Sequence, residues 1–269
     1  MCRLFGLTAG TTPVRTTFWL LDAPDSLEVQ SRRNADGAGI GFFDAARTPV
    51  LDKQPEPAFA DEDFIREARQ ASSATFVAHV RWASTGGRTV QNTHPFAMHG
   101  RIMAHNGGFG ELPRLEEQLG EYAALVQGDT DSERYFALII QQTEAHGGDV
   151  GAGITAAASW IAANLPVSSL NTIVTAPGEL WALRYPAQHA LHILERPAGP
   201  ELHVRSATSS VHAPALADKP SVIVASEELD GENAWRMLAP GELVHVRPAD
   251  QRKTRDGRPR ALCEAERAR

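Results

Sequence analysis

The chemistry of this chain is read first from Cys2, which follows Met1 directly. A small second residue permits removal of the initiator methionine, which leaves cysteine with its thiol and a free α-amine on one backbone unit. The ordinary pKa of such an amine, about 7.7–8.0, lies near working pH, so it can serve as the base for its own nucleophile. Thiol is the strongest nucleophile for this position because a fraction is already thiolate. The plain alternative is a cysteine that happens to lie second.

Four further stretches carry polar residues in a fixed order: Arg81-Trp82-Ala83-Ser84, Asn92-Thr93-His94-Pro95, His105-Asn106-Gly107, and Thr130-Asp131 opening a helical pattern. Together with Met1-Cys2 they resemble, in order and rough spacing, the class II glutamine amidotransferases, whose glutaminase domain is an N-terminal-nucleophile hydrolase. The resemblance implies glutamine or a γ-glutamyl small molecule as substrate, cleaved at the γ-amide through a Cys2 thioester, with no cofactor. It implies Arg81 as the fork that clamps the α-carboxylate, Trp82 and Ser84 as further substrate contacts, and Asp131 as acceptor of the α-ammonium. Asp131 also has a purely structural reading, because Thr130-x-x-Glu133 is a capping box and an acid in the first turn complements the helix dipole. Asn106 and Gly107 supply a side-chain and a backbone N–H to the tetrahedral oxyanion, although Asn-Gly is also an ordinary turn signal. His79 and His105 read as buried, hydrogen-bonded structural residues.

Val224 to Leu229, then Trp235 and Pro240-Gly241-Glu242-Leu243, resemble the carboxy-terminal pattern of the family's small stand-alone branch, which includes bacterial glutamine amidotransferases of inferred function and the ergothioneine-pathway γ-glutamyl hydrolase. Thr85-Gly86 departs from the sugar-phosphate synthases, which carry a histidine there, and this bears on sugar-linked regulation rather than on glutaminase chemistry. Gly86-Gly87 and Gln91-Asn92 lie between Arg81 and His94 and suit a lid that selects leaving groups.

These residues must be held by elements, and the pattern supplies them. Strands are expected over residues 2–7, 38–43, 48–54, 75–82 and 101–104, the last ending in a turn at Asn106-Gly107-Gly108. Helices are expected over 25–33, 62–70, 112–119, 131–145 and 150–163. Six more strands follow, at 171–175, 180–185, 191–195, 202–204, 222–226 and 243–247. Strands, then helices, then strands is not the alternation of a parallel doubly wound fold. It fits two mainly antiparallel sheets covered by helices. The family resemblance sharpens this to an α+β, four-layer αββα sandwich.

The amidotransferase domain is expected over residues 2–247. Residues 248–269, with seven Lys or Arg, four acids and little apolar content, read as a mobile charged tail. The 269 residues leave no room for an acceptor domain, so any ammonia acceptor is expected to be a separate protein. The alternative is a non-catalytic or partner-dependent subunit that keeps the fold.

Composition narrows the rest. Hydrophobic residues at 42% exclude disorder of the whole chain, and a net charge of −7 disfavours nucleic acid as a partner. The two cysteines lie at opposite ends, so neither a disulfide framework nor a metal set is expected. No apolar leader or membrane-spanning run is seen, which makes a cytoplasmic location the expectation. Gly37-Ala38-Gly39-Ile40-Gly41 lacks the preceding strand and following helix that a nucleotide-binding turn requires.

Overall fold

The first strand, β1 (Arg3–Thr8), turns Phe5 and Leu7 to one side and Leu4 and Gly6 to the other. That is the period-two geometry of an extended segment buried on both faces. The structure is a computed structural model; it describes residues 2–197, 202–205, 210–213, 219–231, 234–247 and 253–256, with 202–205, 210–213 and 253–256 described by backbone alone.

In chain order the remaining strands are β2 (Ala38–Phe43), β3 (Pro49–Gln54), β4 (Thr75–Val80), β5 (Phe96–Met98), β6 (Arg101–Phe109), β7 (Val167–Ala176), β8 (Glu179–Leu183), β9 (His192–Arg196), β10 (Leu202–Arg205), β11 (Ser210–Ala213), β12 (Ser221–Ala225), β13 (Arg236–Met237), β14 (Leu243–Val246) and β15 (Lys253–Asp256). The helices are α1 (Leu27–Ser31), α2 (Glu62–Gln70), α3 (Leu112–Leu119), α4 (Asp131–Ala145) and α5 (Val150–Asn164).

One sheet has the order β13-β9-β12-β1-β4-β2-β3 and the other β15-β14-β8-β7-β6-β5; β10 and β11 pair apart. All pairings are antiparallel. Between the sheets lie Leu4, Val77, Ile102, Ala104, Ile173 and Val224. Gly6 lets the sheets approach, since a Cβ there would sit 2.9 Å from Ile173 Cγ2. On the outer face of the first sheet, Phe5, Leu7 and Phe76 pack with Leu27 of α1 and with Phe64 and Ala68 of α2. On the outer face of the second, Met103, Leu170 and Trp181 pack with α3, α4 and α5. The result is the expected α+β sandwich of four layers, αββα.

Local chemistry sets the helix starts that matter here. Asp61 accepts the N–H groups of Asp63 and Phe64 and begins α2; Asp149 accepts that of Ala152 and begins α5. Thr130 accepts from Glu133 N–H and begins α4, so that Asp131 occupies its first turn.

The structure differs from the expectations at one place that touches the site. The segment Asn106-Gly107-Gly108 is not a turn: β6 runs on through it, and Asn106, Gly107 and Gly108 pair with Asn171, Leu170 and Ser169 of β7, with a register shift only between Gly108 and Phe109. Glycine is required at 107 by proximity rather than by turning, because a Cβ would lie 1.9 Å from the Ser169 carbonyl oxygen. Of the segment 248–269, only β15 lies within the described residues, where it pairs with β14. No helix among the described residues is long and apolar enough to cross a membrane.

Candidate functional site

Antiparallel pairing of β1 with β4 sets Arg3 opposite Val80. The start of one strand therefore lies beside the end of the other, and Cys2 meets Arg81 and Trp82. The Trp82 N–H donates to Cys2 Sγ at 3.3 Å, and Sγ lies 3.4 Å from the Trp82 carbonyl oxygen. Burial pushes the Cys2 thiol above its ordinary pKa; the Trp82 N–H and the Arg81 charge pull it back, and Asp131 adds to the rise.

Cys2, Arg81, Trp82, Ser84, Gly107 and Asp131 line one narrow cleft. The Arg81 guanidinium is already engaged on its own loop. Nη1 donates to the Gly87 carbonyl at 3.0 Å, and Nη2 donates to those of Thr85 at 2.8 Å and Gly86 at 3.3 Å. Asp36 holds the same loop from the other side: its carboxylate accepts the Ala83 N–H at 2.8 Å and pairs with Arg88. Trp82 is 54% exposed, so it lies at the surface of the cleft and outside the core.

Asp131 is buried at the start of α4 and faces back to β6. It accepts the Ser132 N–H at 2.8 Å and the Phe109 N–H at 3.2 Å. Half of the expected capping box forms. Thr130 caps Glu133, but the Glu133 carboxylate turns to the N–H groups of Gln127 at 3.0 Å and Gly128 at 2.6 Å.

Asn106 is not among the residues lining the cleft with Cys2. Its Nδ2 donates to Ser226 Oγ at 3.4 Å, and the same oxygen accepts the Leu4 N–H at 3.0 Å. Asn106 is thus tied to β1 two residues beyond the thiol. Ser226 stands in the carboxy-terminal stretch singled out above, but only the fold brings it to β1.

His105 is buried and hydrogen-bonded, as expected, and it also lines the cleft with Cys2. Its Nε2 faces the Ser169 carbonyl at 3.1 Å, which can only accept, so that nitrogen carries the proton. Nδ1 then accepts from the Ser132 hydroxyl at 2.9 Å. His79 is buried with a backbone hydrogen bond at His105, and its ring also stacks on His94 with centroids 4.2 Å apart. Burial holds His79 down to about 3 and lowers His94 and His105 as well. All three therefore sit as neutral rings near neutral pH. Among the described residues no group of three or more His, Cys, Asp or Glu is placed to hold a metal ion.

The arrangement provides a thiol beside a guanidinium, a carboxylate and backbone N–H groups in a confined space. That set suits a small zwitterion carrying an acyl group. The family model described as glutamine amidotransferases class-II matches residues 1–267 of the chain. The probable glutamine amidotransferase DUG3 of Saccharomyces cerevisiae is 31% identical over 170 residues, which is 55% of this chain and 47% of that protein. The gamma-glutamyl-hercynylcysteine sulfoxide hydrolase of Mycobacterium tuberculosis is 38% identical over 117 residues, 40% of this chain and 49% of that protein. The chain thus spans about half the length of these curated relatives. In fold it is similar to a glutamine aminotransferase class-II domain protein from Silicibacter pomeroyi, with TM-score 0.60 and 21% identity over 91% of this chain and 95% of that one.

Proposed function

The chain belongs to the class II glutamine amidotransferases, and from that premise we propose that it hydrolyses the γ-amide of a γ-glutamyl compound through a thioester on Cys2. The observation that carries the reading is the cleft shared by Cys2, Arg81, Gly107 and Asp131. With Met1 removed, the Cys2 α-amine takes the thiol proton as sulfur attacks the γ-carbonyl carbon. The C–S bond forms, and the carbonyl electron pair moves to oxygen, where Asn106 Nδ2–H and Gly107 N–H receive it. The C–N bond then breaks, and the α-ammonium returns its proton to the departing nitrogen. Water, deprotonated by the same amine, cleaves the thioester to glutamate and free thiol. Arg81 and Asp131 hold the α-carboxylate and α-ammonium, with Trp82 and Ser84 as further walls. No cofactor enters any step.

The leaving group is the finer question. The carboxy-terminal resemblance to the stand-alone branch favours a γ-glutamyl amide larger than glutamine, whose released amine is the product. One relative is by its name a hydrolase of such a compound. On this reading the amidotransferase domain over residues 2–247 carries the whole hydrolysis itself and acts in the cytoplasm. The test is kcat/KM of the purified protein on glutamine and on a panel of bulkier γ-glutamyl amides. Preference for one bulky amide by at least about 10²-fold supports the reading, because remote contacts then lower the transition state. Weak, glutamine-selective turnover that rises on adding a second protein identifies an ammonia-supplying subunit instead. Retained Met1 and no turnover on any amide identify a non-catalytic scaffold.

A further inference from the structure

The Asn92 side chain lies between the two ends of the proposed glutamyl site and touches neither. It is 1% exposed. Its Nδ2 donates to the Gly87 carbonyl at 3.2 Å, the same oxygen that accepts from Arg81 Nη1 at 3.0 Å. Its Oδ1 accepts the Asp129 N–H at 2.8 Å, two residues before Asp131. Nδ2 also lies 3.4 Å from Asp129 Oδ2. One amide thus joins the loop that engages Arg81 to the turn that leads into α4. That turn is itself fixed to α4, because Glu133 accepts the N–H groups of Gln127 and Gly128.

Two glycines from different segments make room for this amide. A Cβ on Gly86 would lie 3.0 Å from Asn92 Nδ2, and one on Gly128 would lie 2.5 Å from Asn92 Oδ1. Gly86 also has φ +73°, a conformation that side chains other than glycine's rarely adopt. The junction is therefore built from both sides to admit a planar amide with one donor and one acceptor aimed in opposite directions.

We infer that Asn92 is a positioning residue that couples recognition of the α-carboxylate at Arg81 to recognition of the α-ammonium at Asp131. This rests on the proposed function, because it assumes that a γ-glutamyl group spans the two residues. When a carboxylate draws the Arg81 guanidinium, the shared Gly87 carbonyl moves with it. Asn92 passes that displacement to Asp129 and so to the start of α4. A ligand with both charged groups gains from the link, while a ligand with one cannot use it. The coupling is a difference in free energy between two sites, carried by a defined chain of hydrogen bonds.

The test measures KM and kcat for glutamine, and inhibition constants for glutarate and 4-aminobutyrate, in the wild type and in Asn92→Ala. Glutarate lacks the α-ammonium and 4-aminobutyrate lacks the α-carboxylate. The expected result is a KM raised by about tenfold or more, with kcat and both inhibition constants changed by less than about threefold. Asn92→Ser leaves a small uncharged polar side chain in the junction that cannot bridge Gly87 and Asp129, so it should give the same pattern; it decides the matter where Asn92→Ala does not fold. An unchanged KM, or inhibition constants that rise in step with KM, overturns the inference and leaves the proposed function standing. Absence of wild-type turnover on any γ-glutamyl amide overturns the proposed function, and the coupling with it.

Discussion

Cys2 and Trp82 meet through the backbone of one and the side chain of the other. The Trp82 backbone nitrogen lies 3.3 Å from the sulfur and its carbonyl oxygen 3.4 Å, while the residue as a whole is 54% exposed. The residue that orients the thiol therefore does so independently of its own side chain.

This separation can be tested at Trp82. Trp82→Ala should change the unfolding free energy by no more than about 0.5 kcal/mol, as for an exposed position. It should leave the rate of thiol alkylation at Cys2 within about twofold of wild type while lowering kcat/KM on the preferred γ-glutamyl amide, because only the ring is removed. Slow alkylation together with a large loss of stability would mean that the ring, and not the backbone, holds the site.

Asp131 accepts two backbone N–H groups, from Ser132 and Phe109. The substrate role proposed for Asp131 thus shares one carboxylate with a structural one, and a pair of substrates separates them. Asp131→Asn should raise KM for glutamine about tenfold or more, the scale of one charge-assisted hydrogen bond. On 4-carbamoylbutanoate, which has no α-ammonium, the same variant should lose at most about threefold, for the one N–H acceptor it gives up, well short of its loss on glutamine. Equal losses on both amides would assign Asp131 to the fold alone.

Asn106 should affect the chemical step. Asn106→Ala is expected to lower kcat by about 10²–10³-fold with KM little changed. The measurement is steady-state kinetics on the preferred amide. A variant with altered KM and normal kcat would remove Asn106 from the oxyanion site and leave it as the partner of Ser226.

The three buried histidines make stability depend on pH with a definite sign. Burial holds His79 down to about 3, and lowers His94 and His105. The unfolded chain, with histidine near its ordinary value of about 6.5, binds more protons than the folded one below that pH. Their neutral burial therefore costs nothing above about pH 6.5, and stability is lost as pH falls below it; for His79 the loss runs on towards about 3, at up to about 1.4 kcal/mol per pH unit. Urea midpoints should fall steadily from about pH 7 to pH 4.5, and His79→Gln should flatten the slope. A midpoint constant over that range would contradict the neutral burial of these rings.

Much of the frame is legible in the residues themselves. Phe76, Val77 and Val80 mark β4, and with it the place where Arg81 and Trp82 emerge. Thr130 and Asp131 mark the start of α4, where the Thr130 half of the expected capping box forms and the Glu133 half does not. What is not legible is long-range. Asn106-Gly107-Gly108 reads as a turn because glycine pairs usually turn, yet here Gly107 is needed for the approach of Ser169, 62 residues later in the chain. Asn92 and Asp129 are 37 residues apart, and Asn106 and Ser226 are 120 apart. No local pattern announces such pairs. The guanidinium of Arg81 likewise reads as a free clamp from the sequence, whereas the fold gives it the carbonyls of its own loop.

The proposed hydrolysis depends above all on Cys2 as a processed, amino-terminal nucleophile. The decisive measurement is intact mass and peptide mapping of the purified protein before and after reaction with a glutamine-analogue diazoketone. The expected result is loss of Met1, a single adduct on Cys2 that glutamine protects against, and no turnover in Cys2→Ala with its unfolding midpoint kept. A protein that keeps Met1 and still turns over, or one that is labelled only at Cys263, would contradict it.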